Sequence, residues 1–243
     1  MRLKAKNVPA QGPASPAPTY AQLLSLAVHE FRTPASVLGG YLRMLQRDTR
    51  APLDDRQRHM IDEAANSCAR MVALIGELNE VAKLDDPLVA LPRESFDLFA
   101  MLREVADDDF PETAERGVQL KTRGAAAGAA ITGDIVRLHA AFGAFFRAVL
   151  REQADRSVVL VDYRLARKGK SASALIVVAG ELALAGAAAG TPCPFDERRG
   201  GLGLALPIAR RVIERHGGRV WSPPSEKGAF GSKSAVLISL PVT

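Results

Sequence analysis

AQLLSLAVHEFRTPASVLGGYLRML, residues 21–45, is the stretch on which the fold turns, and His29-Glu30-Phe31-Arg32-Thr33-Pro34 lies at its centre. A carboxylate directly after a histidine can hold the imidazole tautomer and leave the far ring nitrogen nucleophilic. Thr33 follows His29 by four residues, which makes the two side chains neighbours on one helix face. Pro34 removes a backbone donor and loosens the helix about one turn beyond the histidine. A His-Glu pair alone amounts to a surface histidine on an amphipathic helix. The periodicity around it adds weight.

Leu24, Ala27, Phe31, Pro34, Leu38, Tyr41 and Leu45 step by alternating threes and fours, the spacing of a coiled-coil seam. His29 falls off this seam, so a packed bundle presents it to solvent. HEFRTP in such a helix resembles the H-box of sensor histidine kinases of two-component systems, and later segments extend the likeness over nearly the whole chain. The resemblance implies that His29 is a phosphoacceptor, the residue that in the family accepts phosphate from ATP and passes it to an aspartate of a response-regulator receiver domain. It gives Glu30 an acid/base and orienting role, and makes Thr33 the residue that positions water when a phosphorylated receiver is hydrolysed.

With 243 residues, 47% of them hydrophobic, the chain has enough apolar material for proper cores. No apolar run is long enough to span a bilayer and no leader is evident, so a cytoplasmic protein without membrane insertion is expected. The net charge of +5 comes from scattered Lys and Arg, with one Trp and no aromatic-interleaved basic stripe. Nucleic acid is therefore not expected as a partner, whereas a basic surface favours acidic partners such as receivers. Cys68, on a helix seam, and Cys193, in a loop, have neither metal-ligand spacing nor a disulfide framework.

Residues 1–18 are rich in Pro, Ala and basic residues without periodicity and are expected to be a disordered tail. A phosphoacceptor and dimerisation hairpin is expected over 19–86, with a breaker at Pro52, a cap at Asp54 or Asp55, and a second seam of Ile61, Ala64, Cys68, Met71, Ile75, Leu78 and Ala82. One hairpin cannot bury both seams, so a homodimeric four-helix bundle is the economical solution, and the family implies the same. Asp85 to Pro92 reads as a linker. Over 93–243 the pattern predicts strands at 95–98, 118–122, 129–132, 158–166 and 174–179, helices ending near Phe110 and over 135–152 and 202–216, and a final hairpin of 219–222 with 234–240. The fold class is α+β, a helical hairpin followed by an α/β sandwich resembling the histidine kinase ATP-binding domain.

Three segments of such a domain meet nucleotide. GGLGLALPIARRVIERHGGRV, residues 200–220, resembles the last glycine box, with Gly201 and Gly203 allowing backbone to approach phosphate at a helix start. ITGDIVRLHAAFGAFFRAVLREQ aligns on Arg137-Leu138 with the N-box, which places Ala144 and Ala148 where the family has asparagines, the later one a magnesium ligand. Alanine offers a hard cation no oxygen; Arg147 and Arg151 add positive charge there. The strand ending LIVVAGELALAG has Ala179 where the family has the adenine-binding aspartate, with Glu181 two residues on, and the lid loop from Leu182 to Gly200 is short. Loss of a charged hydrogen bond of roughly 1.5–3 kcal/mol weakens binding about tenfold to a hundredfold, and loss of magnesium removes charge neutralisation in phosphoryl transfer.

The resulting expectation is a phosphorelay protein with ATP binding lost or impaired, no metal site of its own, and an upstream hybrid kinase or phosphorylated receiver as phosphate source. An ATP-dependent kinase with an atypical site, a receiver phosphatase and a scaffold are the alternatives. His59, His139 and His216 read as structural.

Overall fold

Thr19 and Asp54 open the two long helices with reciprocal caps. Thr19 Oγ1 accepts from the Gln22 N–H at 3.3 Å while Gln22 Oε1 accepts from the Thr19 N–H at 2.9 Å; Asp54 and Gln57 repeat the arrangement at 2.7 and 3.1 Å. The computed structural model describes residues 19–48, 52–124, 128–168, 171–184, 191–223 and 235–242. Helix α1 (Tyr20–Arg47) runs through Pro34 unbroken, and α2 (Asp55–Asp85) returns alongside it.

The hairpin closes on small and β-branched residues. Ala21, Val28 and Ala35 are buried on α1, and Cys68, Ile75 and Ala82 on α2, each set spaced by sevens. Cys68 Sγ lies 3.4 Å from the Ala35 carbonyl, and a Cβ on Gly39 would come within 3.3 Å of that sulfur, so a side chain there would crowd the helices. The expected seam on α1 lies outside this contact. Phe31 is 60% and Tyr41 63% exposed, and Leu38 and Leu45 also face outward. Helix α1 carries two apolar stripes, and the one with smaller side chains allows the closer approach to α2.

Strand β1 (Glu94–Asp97) pairs antiparallel with β3 (Ala130–Gly133) in a small two-stranded sheet. The main sheet has the order β2-β4-β5-β7-β6, from β2 (Gln119–Gly124), β4 (Val158–Lys168), β5 (Ser171–Gly180), β6 (Arg219–Trp221) and β7 (Ala235–Pro241). Only β2 and β4 are parallel; the other neighbours are antiparallel. Alternate residues Val159, Val161, Ile176, Val178, Val236 and Ile238 form one apolar face. Against it pack α3 (Leu98–Ala106), α5 (Ile135–Glu152) and α6 (Ala205–Arg215). On α5, Leu138, Phe142, Phe145, Phe146 and Val149 follow the helical period and are fully buried.

The helix expected to run to Phe110 ends at Ala106. Asp107 to Asp109 break it, and α4 (Pro111–Arg116) begins afresh with Pro111 in its first turn. Helix α6 starts three residues later than expected, after a 3₁₀ turn at Arg199–Gly201. The expected tail over 1–18, the central lid loop 185–190 and the start of the last strand at Ser234 lie outside the described residues. Among the described residues no helix is long and apolar enough to cross a membrane, and no cluster of His, Cys, Asp and Glu could hold a metal ion. Both cysteines are free thiols.

Candidate functional site

Val28 points at α2, and at about 100° per residue His29 turns out from that contact and lies about 200° from Phe31. The His29 side chain is 77% exposed, facing neither the hairpin core nor the outward apolar stripe. Glu30 Oε1 stands 3.6 Å from His29 Nδ1, too long for a hydrogen bond but close enough for charge attraction. Nδ1 is the ring nitrogen beside the carboxylate; a proton carried there would leave the lone pair on Nε2. Thr33 is exposed one turn on. Pro34 cannot donate to the Glu30 carbonyl, so the helix lacks one bond beside the histidine.

The second candidate region lies where α5, α6 and the Asp108–Phe110 turn meet. Gly201 and Gly203 both have φ +60°, a left-handed backbone that glycine adopts without strain. The α6 start that follows is already occupied from within the chain: the Leu204 N–H donates to Glu77 Oε2 of α2 at 3.1 Å. Ala144 is half-buried in a recess of about 400 Å³ with Asp108, His139, Arg147, Leu202 and Ala205 among its walls. Ala148 is fully buried in the main core. Ala179 is fully buried on the opposite face of β5, with Val177, Leu184, Ala235 and Leu237. None of these three alanines offers an oxygen to a cation or an adenine amino group. Glu181 is exposed in the turn after β5, and its N–H donates to the Val158 carbonyl.

Arg147 and Arg151 turn to a residue the sequence did not single out. Glu112 on α4 is buried, its Oε1 2.6 Å from Arg151 Nε and its Oε2 4.0 Å from Arg147 Nε. Burial pushes the Glu112 carboxyl up, but the hydrogen bond from Arg151 and the charges of Arg151 and Arg147 outweigh it and hold the group below its ordinary range. A glutamate in a short polar helix carries no sequence signal of burial. Phe195 and Arg199 were also missed. The Phe195 ring packs edge-on against Phe145 at 5.6 Å, and the Arg199 guanidinium lies 5.5 Å over that ring, its Nη1 donating to the Ala235 carbonyl.

The other histidines are placed as read. His59 is exposed near the start of α2, His139 lies 3.9 Å from Asp108, and His216 Nε2 accepts from the Asp134 N–H at 2.9 Å. Asp134 caps α5 through the Arg137 N–H and pairs with the Arg137 guanidinium, which reaches Glu80 of α2 at 2.6 Å. Burial pushes the Asp134 carboxyl up; the backbone and side-chain bonds from Arg137 bring it below its ordinary range.

Residues 20–87 match the family model of the His Kinase A (phospho-acceptor) domain. Over 204 residues the chain is 24% identical to sensor protein VanS of Enterococcus faecium, covering 82% of this chain and 52% of that protein. Over 235 residues it is 28% identical to sensor protein CutS of Streptomyces coelicolor, covering 89% and 51%. The chain thus spans about half the length of these relatives. Among solved structures it resembles full-length ShkA in complex with AMPPNP (TM-score 0.67, 22% identity, 93% of this chain and 47% of that one). It also resembles histidine kinase ThkA in complex with response regulator TrrA (TM-score 0.52, 16% identity, 91% and 61%). Residues 20–87 thus carry a histidine kinase phosphoacceptor domain, and the α/β domain that follows shares its fold with the solved histidine kinases.

Proposed function

We propose that this chain is a cytoplasmic phosphorelay protein: a homodimer that carries phosphate on His29 and exchanges it with receiver aspartates, with the ATP-driven step lost or impaired. The observation that carries the reading is an exposed His29, with Glu30 beside Nδ1, on the same chain as an α/β domain whose sequence has Ala144, Ala148 and Ala179 where the family has nucleotide and magnesium ligands. The phosphate source is an upstream hybrid kinase acting through a phosphorylated receiver. The ThkA–TrrA complex supplies a precedent for a response-regulator partner. The outward stripe of Phe31, Leu38, Tyr41 and Leu45 supports the dimer, since a second hairpin would cover it.

In the transfer, His29 Nε2 attacks the phosphorus of the receiver acyl phosphate. The N–P bond forms as the P–O bond to the aspartate breaks, and the carboxylate leaves with the electron pair. The imidazole gains positive charge, which Glu30 stabilises at Nδ1–H. The reverse sequence hands the group to a second receiver. Thr33, one turn away, has the hydroxyl for aligning water against a phosphorylated receiver, so hydrolysis can accompany transfer. The test is labelling by a phosphorylated receiver: the wild type takes up label and His29→Gln does not, whereas equal labelling of the two would sink the proposal.

A second reading, an ATP-dependent kinase with an atypical site, is favoured by the glycine box, where Gly201 and Gly203 keep left-handed backbone at the start of α6.

A further inference from the structure

The main sheet ends on β2, and among the described residues nothing pairs with the outer side of that strand. The Gln119 N–H donates to the Ser157 carbonyl at 2.9 Å, so Gln119, Lys121 and Arg123 turn their backbone groups toward β4. These directions alternate along a strand. The N–H and C=O of Leu120 and Thr122 therefore point away from the sheet. Residues 121–124 are exposed throughout, so a second strand could reach this edge.

Cations line the edge. The register sets Lys121 beside Leu160 and Arg123 beside Asp162, on the sheet face opposite the core residues Val159 and Val161. Arg164 follows on the same face of β4 and is exposed. Arg123 Nε pairs with Asp162 at 2.8 Å, whereas Lys121 and Arg164 have no carboxylate partner among the described residues. From the other face, Arg103 of α3 reaches the Tyr163 hydroxyl at 3.2 Å, next to Gly124. A copy of this edge would bring Lys121 and Arg123 against themselves. The chain's own residues 1–18 carry Arg2, Lys4 and Lys6 with no Asp or Glu, and would be repelled as well. A nucleic acid has the right charge but no row of alternating donors and acceptors to match the strand.

We infer that β2 is a strand-addition site that takes an extended acidic segment of a partner protein. The backbone of that segment bonds the outward groups of Leu120 and Thr122, and its carboxylates meet Lys121 and Arg164. The same cations that oppose pairing with a copy select an acidic strand. The surface uses neither His29 nor the glycine box.

The experiment uses the whole chain and a short capped peptide of alternating Glu and Val, read by amide hydrogen exchange and by fluorescence anisotropy of a labelled copy. Saturating peptide should slow exchange at Leu120 and Thr122 at least about tenfold, while β6, at the opposite edge of the sheet, is unchanged. The same peptide N-methylated at alternate residues keeps its charge and should give no protection. Lys121→Glu/Arg164→Glu leaves the Arg123–Asp162 pair intact and should weaken binding about tenfold. No slowing at Leu120 and Thr122 with millimolar peptide would overturn the site. Equal protection by a Lys/Val peptide, undiminished binding after N-methylation, or stronger protection by a single-stranded oligonucleotide would overturn it too.

Discussion

Gly218 has no room for a side chain. A Cβ there would collide with the Ser239 carbonyl oxygen and stand 2.7 Å from Ile213 Cγ2 and Leu240 Cδ2, all in well-packed surroundings. Gly218→Ala should therefore destabilise the fold by about 2 kcal/mol or more, read by urea unfolding. His216, two residues before, gives a pH signature. Its Nε2 accepts from Asp134 and its Nδ1 lies 2.6 Å from the Val212 carbonyl, an arrangement that requires the neutral ring with the proton on Nδ1. Burial pushes the ring below its ordinary value of 6.5. The unfolded chain therefore binds the extra proton first as pH falls, and stability present above pH 6.5 is lost between that value and the depressed native one. Asp134 and Glu112, held below the carboxylate range, add their loss only at lower pH, below about 4. The melting temperature should fall between pH 7.5 and 5.5, and His216→Gln should flatten that slope. The structural role of His216 was legible because HGG ends a helix and turns into a strand. The role of Glu112 was not, since nothing in PETAER says that its carboxylate is covered.

At the scale of elements, the hairpin makes the clearest demand. Its inner stripe of Val28, Ala35, Cys68 and Ile75 is satisfied within one chain, while Phe31, Leu38 and Tyr41 remain outside. Leu38→Asp places a charge in the centre of the outward stripe and leaves the inner one intact. Sedimentation should show the wild type as a dimer at micromolar concentration and the variant dissociating at least about tenfold more readily, given the cost of burying an unpaired charge. The two long helices were legible because a breaker at Pro52, a cap at Asp54 or Asp55 and a sustained apolar period mark them; the cap at Thr19 was not read. Which stripe faces α2 was not legible. Periodicity reports that apolar stripes exist; which one packs depends on side-chain size at the crossing, as Gly39 beside Cys68 illustrates. The break between α3 and α4 was missed for a related reason, since three aspartates in a row fit an exposed helical turn as well as they fit a loop.

Across the whole molecule, the hairpin and the α/β domain share contacts that neither sequence segment announces. Glu77, Glu80 and Asp85 lie on α2 with no local partners, and only the fold brings Leu204, Arg137 and Arg211 to them. The order of strands and helices was legible, because β-branched runs alternate with amphipathic helices in recognisable lengths. The sequence alignment put alanines where oxygens were expected; the structure leaves Ala144 at a recess, buries Ala148 in the main core and Ala179 on the opposite face of β5. The proposal that phosphate enters through His29 from receivers rather than from ATP joins these two observations. Its most direct test is incorporation from γ-labelled ATP with magnesium into the purified chain, run beside labelling by a phosphorylated receiver, with His29→Ala as the blank. The account predicts no His29-dependent label from ATP and clear His29-dependent label from the receiver. Label from ATP that disappears in His29→Ala would contradict it and show a working kinase.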